Sequence, residues 1–146
     1  MRTSAAQPRK NKEVKIMCFF EIDPYLTRKI NESVEPVSCE CPDCQWYCEF
    51  VKQLPASAAA FFGETGLDPL KCQELWGYDT HDNGYNHYSG FFYIAVDKVE
   101  QESPFCITGD CKTLEYDSCR FRIWLEETRD GKTILGFEAD LPEPKD

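Results

Sequence analysis

The chain has 146 residues, 42% of them apolar and 14% aromatic, with a formal net charge of −10. That length and apolar content suit one domain with a real core and exclude wholesale disorder. No apolar run approaches the roughly 18 residues a membrane-spanning helix needs, and the N-terminus lacks the apolar stretch of a secretory signal.

The charge is uneven. Arg2, Arg9, Lys10, Lys12 and Lys15 against Glu13 make the first fifteen residues basic by four charges, so the rest carries −14. An acidic body repels phosphate backbones, so no nucleic-acid partner is expected, and no membrane. It suits a basic protein partner, or plain solubility. The nine cysteines are an odd number and too sparse for a disulfide scaffold. Reduced thiols and a cytoplasmic location are the expectation.

Residues 1–12 read as a flexible basic arm, 13–142 as a single α+β domain and 143–146 as a tail. Val14 to Ile22 is apolar enough for a strand. Asp23-Pro24 ends it and opens a short helical turn at Tyr25 to Ile30, with Asp23 as N-cap and Pro24 at N1. The next helix is expected over about 41–54. Cys41 sits at its N-cap, Pro42 at N1 and Asp43 in the first turn, where a carboxylate favours the dipole. Tyr47, Phe50, Val51 and Leu54 fill one arc of it. Pro55 separates it from an alanine-rich helix over about 56–64, which Gly63 or Gly66 ends.

The period then changes to two. Cys72 to Tyr78 reads as a strand, and Asn83-Gly84 as a hairpin turn. His87 to Val99 is aromatic and β-branched, hence strand, with Gly90 marking a bulge or close backbone approach. Short strands are expected near 105–108 and 113–116. The C-terminal hairpin is clearest. Cys119, Phe121, Ile123 and Leu125 alternate with polar positions, Asp130-Gly131 turns, and Thr133, Leu135, Phe137, Ala139 and Leu141 alternate back. The fold class is α+β: a mostly antiparallel sheet with two helices on one face.

Chemistry concentrates at Cys39-x-Cys41-x-x-Cys44-x-x-x-Cys48, which admits three readings. Structural zinc favours thiolate and imidazole ligands. Cys41 to Cys48 spans about 10 Å along the helix, so Cys39, Cys41 and Cys44 are the candidate ligands, completed from elsewhere by His81, His87 or Cys72. Thiol oxidoreductase chemistry is the second reading, because Cys41-Pro42-Asp43-Cys44 is a C-x-x-C at a helix N-terminus. Its weakness is the poor strand before it. Packing is the third, since Cys44 and Cys48 border the apolar arc. Cys18, Cys72, Cys106, Cys111 and Cys119 read as small core hydrophobes.

Asp79, His81, Asp82 and His87 could form a group across a hairpin, although turns are rich in such residues. Ser89 lacks a nucleophile elbow. No phosphate-cradling loop, HExxH or EF-hand pattern occurs. Trp124 lies on the polar face of its strand with Arg120, Arg122 and Glu126, a pattern suited to a protein interface.

Three features occur in order: Cys39-x-Cys41-x-x-Cys44 opening an aromatic helix, Gly66-Leu67-Asp68-Pro69-x-Lys71, and His87-Tyr88-x-Gly90-Phe91-Phe92-Tyr93. Over residues 37–141 the chain resembles a group of small bacterial proteins with no assigned activity. A histidine near Tyr93 is expected in that group and is missing here. The resemblance implies a single intracellular bacterial domain. The leading expectation is a non-enzymatic, acidic protein-binding module, such as an immunity or inhibitor protein. The alternative is a cysteine-cluster metalloprotein holding zinc, or a thiol oxidoreductase using the CPDC motif.

Overall fold

A computed structural model of the chain describes residues 19–82, 84–99, 106–107, 111–128 and 130–144, so the arm expected at 1–12 lies outside the described residues. In chain order the elements are β1 (Phe19–Ile22), α1 (Pro24–Asn31), α2 (Pro42–Val51), α3 (Ala56–Thr65) and a 3-10 turn (Pro69–Lys71). Then come β2 (Glu74–Asp82), β3 (Tyr85–Tyr93), β4 (Val96–Val99), β5 (Cys106–Ile107), β6 (Lys112–Glu115), β7 (Arg120–Glu127) and β8 (Thr133–Pro142). Five strands form one antiparallel sheet in the order β2-β3-β8-β7-β6, and three form a smaller one in the order β4-β1-β5.

The period-2 pattern of the C-terminal hairpin carries straight into the fold. Phe121 pairs with Ala139 and Ile123 with Phe137. On β8, Leu135, Phe137, Ala139 and Leu141 all enter the core, joined by Tyr88 and Phe92 of β3. The expected helices cover this inner face. Tyr47 of α2 has its ring centroid 5.4 Å from Tyr88 and 6.5 Å from Phe137. Phe62 of α3 lies 5.5 Å from Phe121 and 6.4 Å from Phe92. The α+β class is therefore as expected: one domain, an antiparallel sheet, and helices on one side. Aromatic contacts of this kind add about 0.5–1.5 kcal/mol each beyond area burial.

Three features differ from expectation. The turn at Tyr25 to Ile30 is a full helix, α1. Asp23 accepts from Leu26 N–H at 2.9 Å, as an N-cap should. The single strand expected from His87 to Val99 breaks at Ile94-Ala95 and serves two sheets. Buried polar side chains of α1 are the cause. Asn31 Nδ2 donates to the Tyr93 carbonyl at 2.9 Å, and Ala95 N–H donates to Thr27 Oγ1 at 3.0 Å. These bonds satisfy the backbone where the ladder stops. Finally, α2 ends at Val51, short of Leu54. Leu54 precedes Pro55, whose ring disfavours helical backbone at the residue before it.

Two glycines have a steric reason. Gly66 caps α3 in the left-handed region at φ 79°, and a Cβ there would lie 2.3 Å from the Pro24 carbonyl oxygen. A Cβ on Gly90 would lie 2.3 Å from the Glu74 carbonyl oxygen and 3.0 Å from the Phe137 ring. Of the two expectations at Gly90, close approach is the one realised.

Candidate metal centre and the outer sheet face

Cys41 caps α2 with extended backbone, and its sulfur accepts the Cys44 N–H at 3.4 Å. Pro42 follows at N1 and Asp43 sits in the first turn. Cys41 and Cys44 therefore share one turn of helix, and Cys39 enters from the segment before it. The sulfurs of Cys39, Cys41 and Cys44 all lie within 4.8 Å of one another. A zinc ion with Zn–S bonds of about 2.3 Å in tetrahedral geometry sets its sulfurs about 3.8 Å apart. The three thiols can reach that spacing by side-chain rotation, because Cys39 and Cys41 are exposed.

The turn that carries them is held from three sides. Tyr88 Oη donates to the Asp43 carbonyl at 2.6 Å, Trp46 Nε1 to the Pro142 carbonyl at 2.7 Å, and Tyr47 Oη to the Pro69 carbonyl at 2.8 Å. The site thus rests on a helix docked by the core. Its electrostatics are split. The Cys44 backbone N–H, then its thiol and that of Cys39, hold the Cys41 thiol below its ordinary value. Burial first, then hydrogen bonds and charge from Cys41 and Cys39, pushes the Cys44 thiol up. The helix dipole adds a further pull on negative charge at this end.

The other sequence candidates separate from this group. Cys48 is half-buried and points its thiol at the Val37 carbonyl, 3.9 Å away. Cys72 is buried in the core, and burial pushes its thiol up to about 12. Cys119 is a core residue as expected, whereas Cys111 is exposed. His87 is not a ligand of this group. It lies on β3 next to Tyr88, whose side chain faces α2, so alternation turns His87 to the opposite face of the sheet. There His87 Nδ1 bonds Asp140 Oδ1 at 2.6 Å. The backbone of His81 pairs with Asn86. Its side chain, like those of Asp79 and Asp82, lies outside the described residues. Among the described residues no further Cys, His, Asp or Glu joins the three thiols.

The outer sheet face gathers the residues expected to bind. Asp140 is 3% exposed and accepts Arg120 Nε at 3.0 Å, Arg120 Nη2 at 2.6 Å and Arg122 Nη1 at 3.4 Å. Burial raises the Asp140 carboxyl, but Arg120, His87 and Arg122 outweigh it and hold it below its ordinary value. Arg122 Nε also donates to Glu138 at 3.0 Å, and Trp124 Nε1 to Glu126 Oε2 at 2.6 Å. The arginines are thus already paired within the sheet. Ser89, on the same face, bonds the Tyr78 hydroxyl at 2.9 Å rather than His87, so His87 and Asp140 serve an ion cluster and not a serine nucleophile.

Among the described residues, the large apolar side chains most exposed on this face are Trp76, 50% exposed, and Tyr78, 46% exposed, with Tyr85 less so. From sequence Trp76 reads as core or sheet packing and Tyr78 carries no assignment, although Glu74, Trp76 and Tyr78 alternate with period two; the structure leaves both rings exposed. A cleft of about 670 Å³, lined by Ile30, Val34, Cys72, Tyr93 and Thr133 among others, includes none of the three clustered thiols. No helix of the described residues is long and apolar enough to cross a membrane. No family model, curated protein or solved structure matches the chain.

Proposed function

We propose that the chain is a thiolate metal-binding protein, with Cys39, Cys41 and Cys44 as ligands. The observation that carries this is the convergence of three sulfurs within 4.8 Å at the entrance of a docked helix. Thiolates select soft or borderline ions such as zinc, and metal binding displaces the thiol protons. Because Cys39 and Cys41 are exposed and no fourth protein ligand joins them among the described residues, an ion held by the three thiols would be open to water or an outside donor. This reading departs from a closed structural zinc, which takes four protein ligands.

The test is direct. Reduced full-length protein should retain about one zinc per chain by elemental analysis, and cobalt substitution should give a thiolate charge-transfer band. Cys39→Ser and Cys41→Ser, both at exposed positions, should each weaken zinc by at least ~10-fold. Wild-type protein with no zinc and no cobalt band refutes the reading.

Exposed Trp76 and Tyr78 favour a second reading, that the outer sheet face binds another protein. Aromatics dominate the energetics of such surfaces. The acidic body supports a basic partner, as for an immunity or inhibitor protein in a bacterial cell. Its test is co-purification from the native cell with wild type and a Trp76→Ala, Tyr78→Ala double variant. A partner kept by wild type and lost by the variant supports it, and equal retention sinks it.

A further inference from the structure

We propose that Cys41 and Cys44 form a reversible disulfide that empties the metal site, so that the thiol cluster alternates between a reduced, metal-holding form and an oxidised, metal-free form. The inference rests on the metal reading above and adds its regulation.

Residues three apart on a first helical turn bring their Cα atoms to about 5 Å, inside the range a disulfide spans. The Cys41 and Cys44 sulfurs already lie within 4.8 Å, and the Cys44 N–H points at the Cys41 sulfur. Exposure assigns the roles. Cys41 is exposed, and Cys44 is 3% exposed beneath it. An oxidant arriving from solvent meets Cys41 first, and Cys44 is placed to resolve the product. Cys39 is the poorer partner, because a bridge to Cys41 would close a tight loop over a single intervening residue.

Hydrogen peroxide is the oxidant considered. The Cys41 thiolate attacks one peroxide oxygen, the O–O bond breaks, and hydroxide leaves with Cys41 as a sulfenic acid. The Cys44 thiol then attacks that sulfur. The S–O bond breaks, an S–S bond forms, and the hydroxyl leaves with the Cys44 proton as water. The hydroxide takes up the proton that Cys41 released on ionising, so two metal-free thiols have lost two electrons and two protons and the peroxide has become two waters. Starting from the zinc-loaded cluster, whose thiolates carry no proton, solvent supplies those two protons. The disulfide removes two of the three thiolate donors. Cys39 alone cannot hold the ion, which departs. In the other direction, a bound ion engages the Cys41 lone pair and slows the attack. The two states exclude each other because both use the same sulfurs.

The core beneath does not depend on either state. Tyr88, Trp46 and Tyr47 anchor α2 through its backbone carbonyl and side chains, not through the thiols. The switch is therefore expected to leave the fold in place.

The experiment uses the full-length, reduced, zinc-loaded chain. Zinc release is followed with a chromophoric chelator during hydrogen peroxide addition, and disulfides are mapped by differential alkylation and mass spectrometry. The expected result is loss of the bound zinc in step with a Cys41–Cys44 linkage, and recovery of zinc binding after dithiothreitol. Peptide mapping separates this from oxidation of exposed Cys111. Cys39→Ser, at an exposed position, should hold zinc more weakly yet still form the Cys41–Cys44 disulfide. If zinc binds but leaves without that linkage, or the linkage forms with zinc retained, the switch is wrong and the metal reading stands. If the reduced chain holds no zinc, both fall.

Discussion

Replacing Asp140 by asparagine removes one charge from the outer sheet face and keeps the side chain's shape. In the native sheet that carboxylate takes hydrogen bonds from Arg120 and Arg122 on β7 and is bonded to His87 on β3, with Glu138 and Glu115 as the neighbouring acids. A hydrogen bond to a charged group contributes about 1.5–3 kcal/mol when buried. Here the Arg120 and Arg122 side chains are 45% and 31% exposed, so water screens part of the interaction. The expected loss for Asp140→Asn is about 1–2 kcal/mol at pH 7, or a Tm lower by about 3–6 °C.

The sign of the pH dependence follows from the carboxyl being held below its ordinary 3.8. Its stabilising contribution is complete above the unfolded-chain value and disappears as pH falls through the lower, folded value. The gap between wild type and Asp140→Asn should therefore be widest near neutrality and close in acid. Urea unfolding midpoints measured from pH 7 down to pH 3 supply the test. A gap that stays constant over that range, or no gap at pH 7, would refute the ion-cluster account.

The remaining expectations concern the core and the helix that carries the thiols. Phe137→Ala removes a ring that meets both Tyr47 and Phe92, and should cost about 3–5 kcal/mol in denaturant unfolding. Gly90→Ala forces a methyl against the Glu74 carbonyl and the Phe137 ring, and should cost at least ~1–3 kcal/mol; a neutral result would show that the sheet edge gives way. Tyr88→Phe deletes the hydroxyl donor to the Asp43 carbonyl. It should lower stability by about 0.5–1.5 kcal/mol and weaken zinc binding by less than ~10-fold, because the helix keeps its other two anchors.

The legible parts of this chain were those governed by short-range rules. The helix entrance at Cys41-Pro42-Asp43 could be read residue by residue, since caps and the proline at N1 act within one turn. The alternation along β7 and β8 gave the buried face in the same way. The break at Ile94-Ala95 could not be read, because its cause lies over sixty residues away in the polar side chains of α1. Residue type alone makes His87 a candidate zinc ligand, and only the pleat, which turns it to the other face and onto Asp140, removes it from the thiol cluster.

For the site itself, sequence alone determined which residues could act: three cysteines near a helix start, and no local motif for phosphate or nucleophilic chemistry. Spacing also set Cys48 apart as a strained fourth thiolate, because it sits two turns beyond the cap. Only the tertiary structure decided that the Cys39 sulfur returns to the Cys41–Cys44 turn, that Cys44 is buried while Cys41 is open, and that Arg120 and Arg122 are taken up by Asp140. The physical reason is reach. Helix caps and period-2 faces follow from covalent neighbours, whereas partners and burial follow from strand register and from what packs against each face.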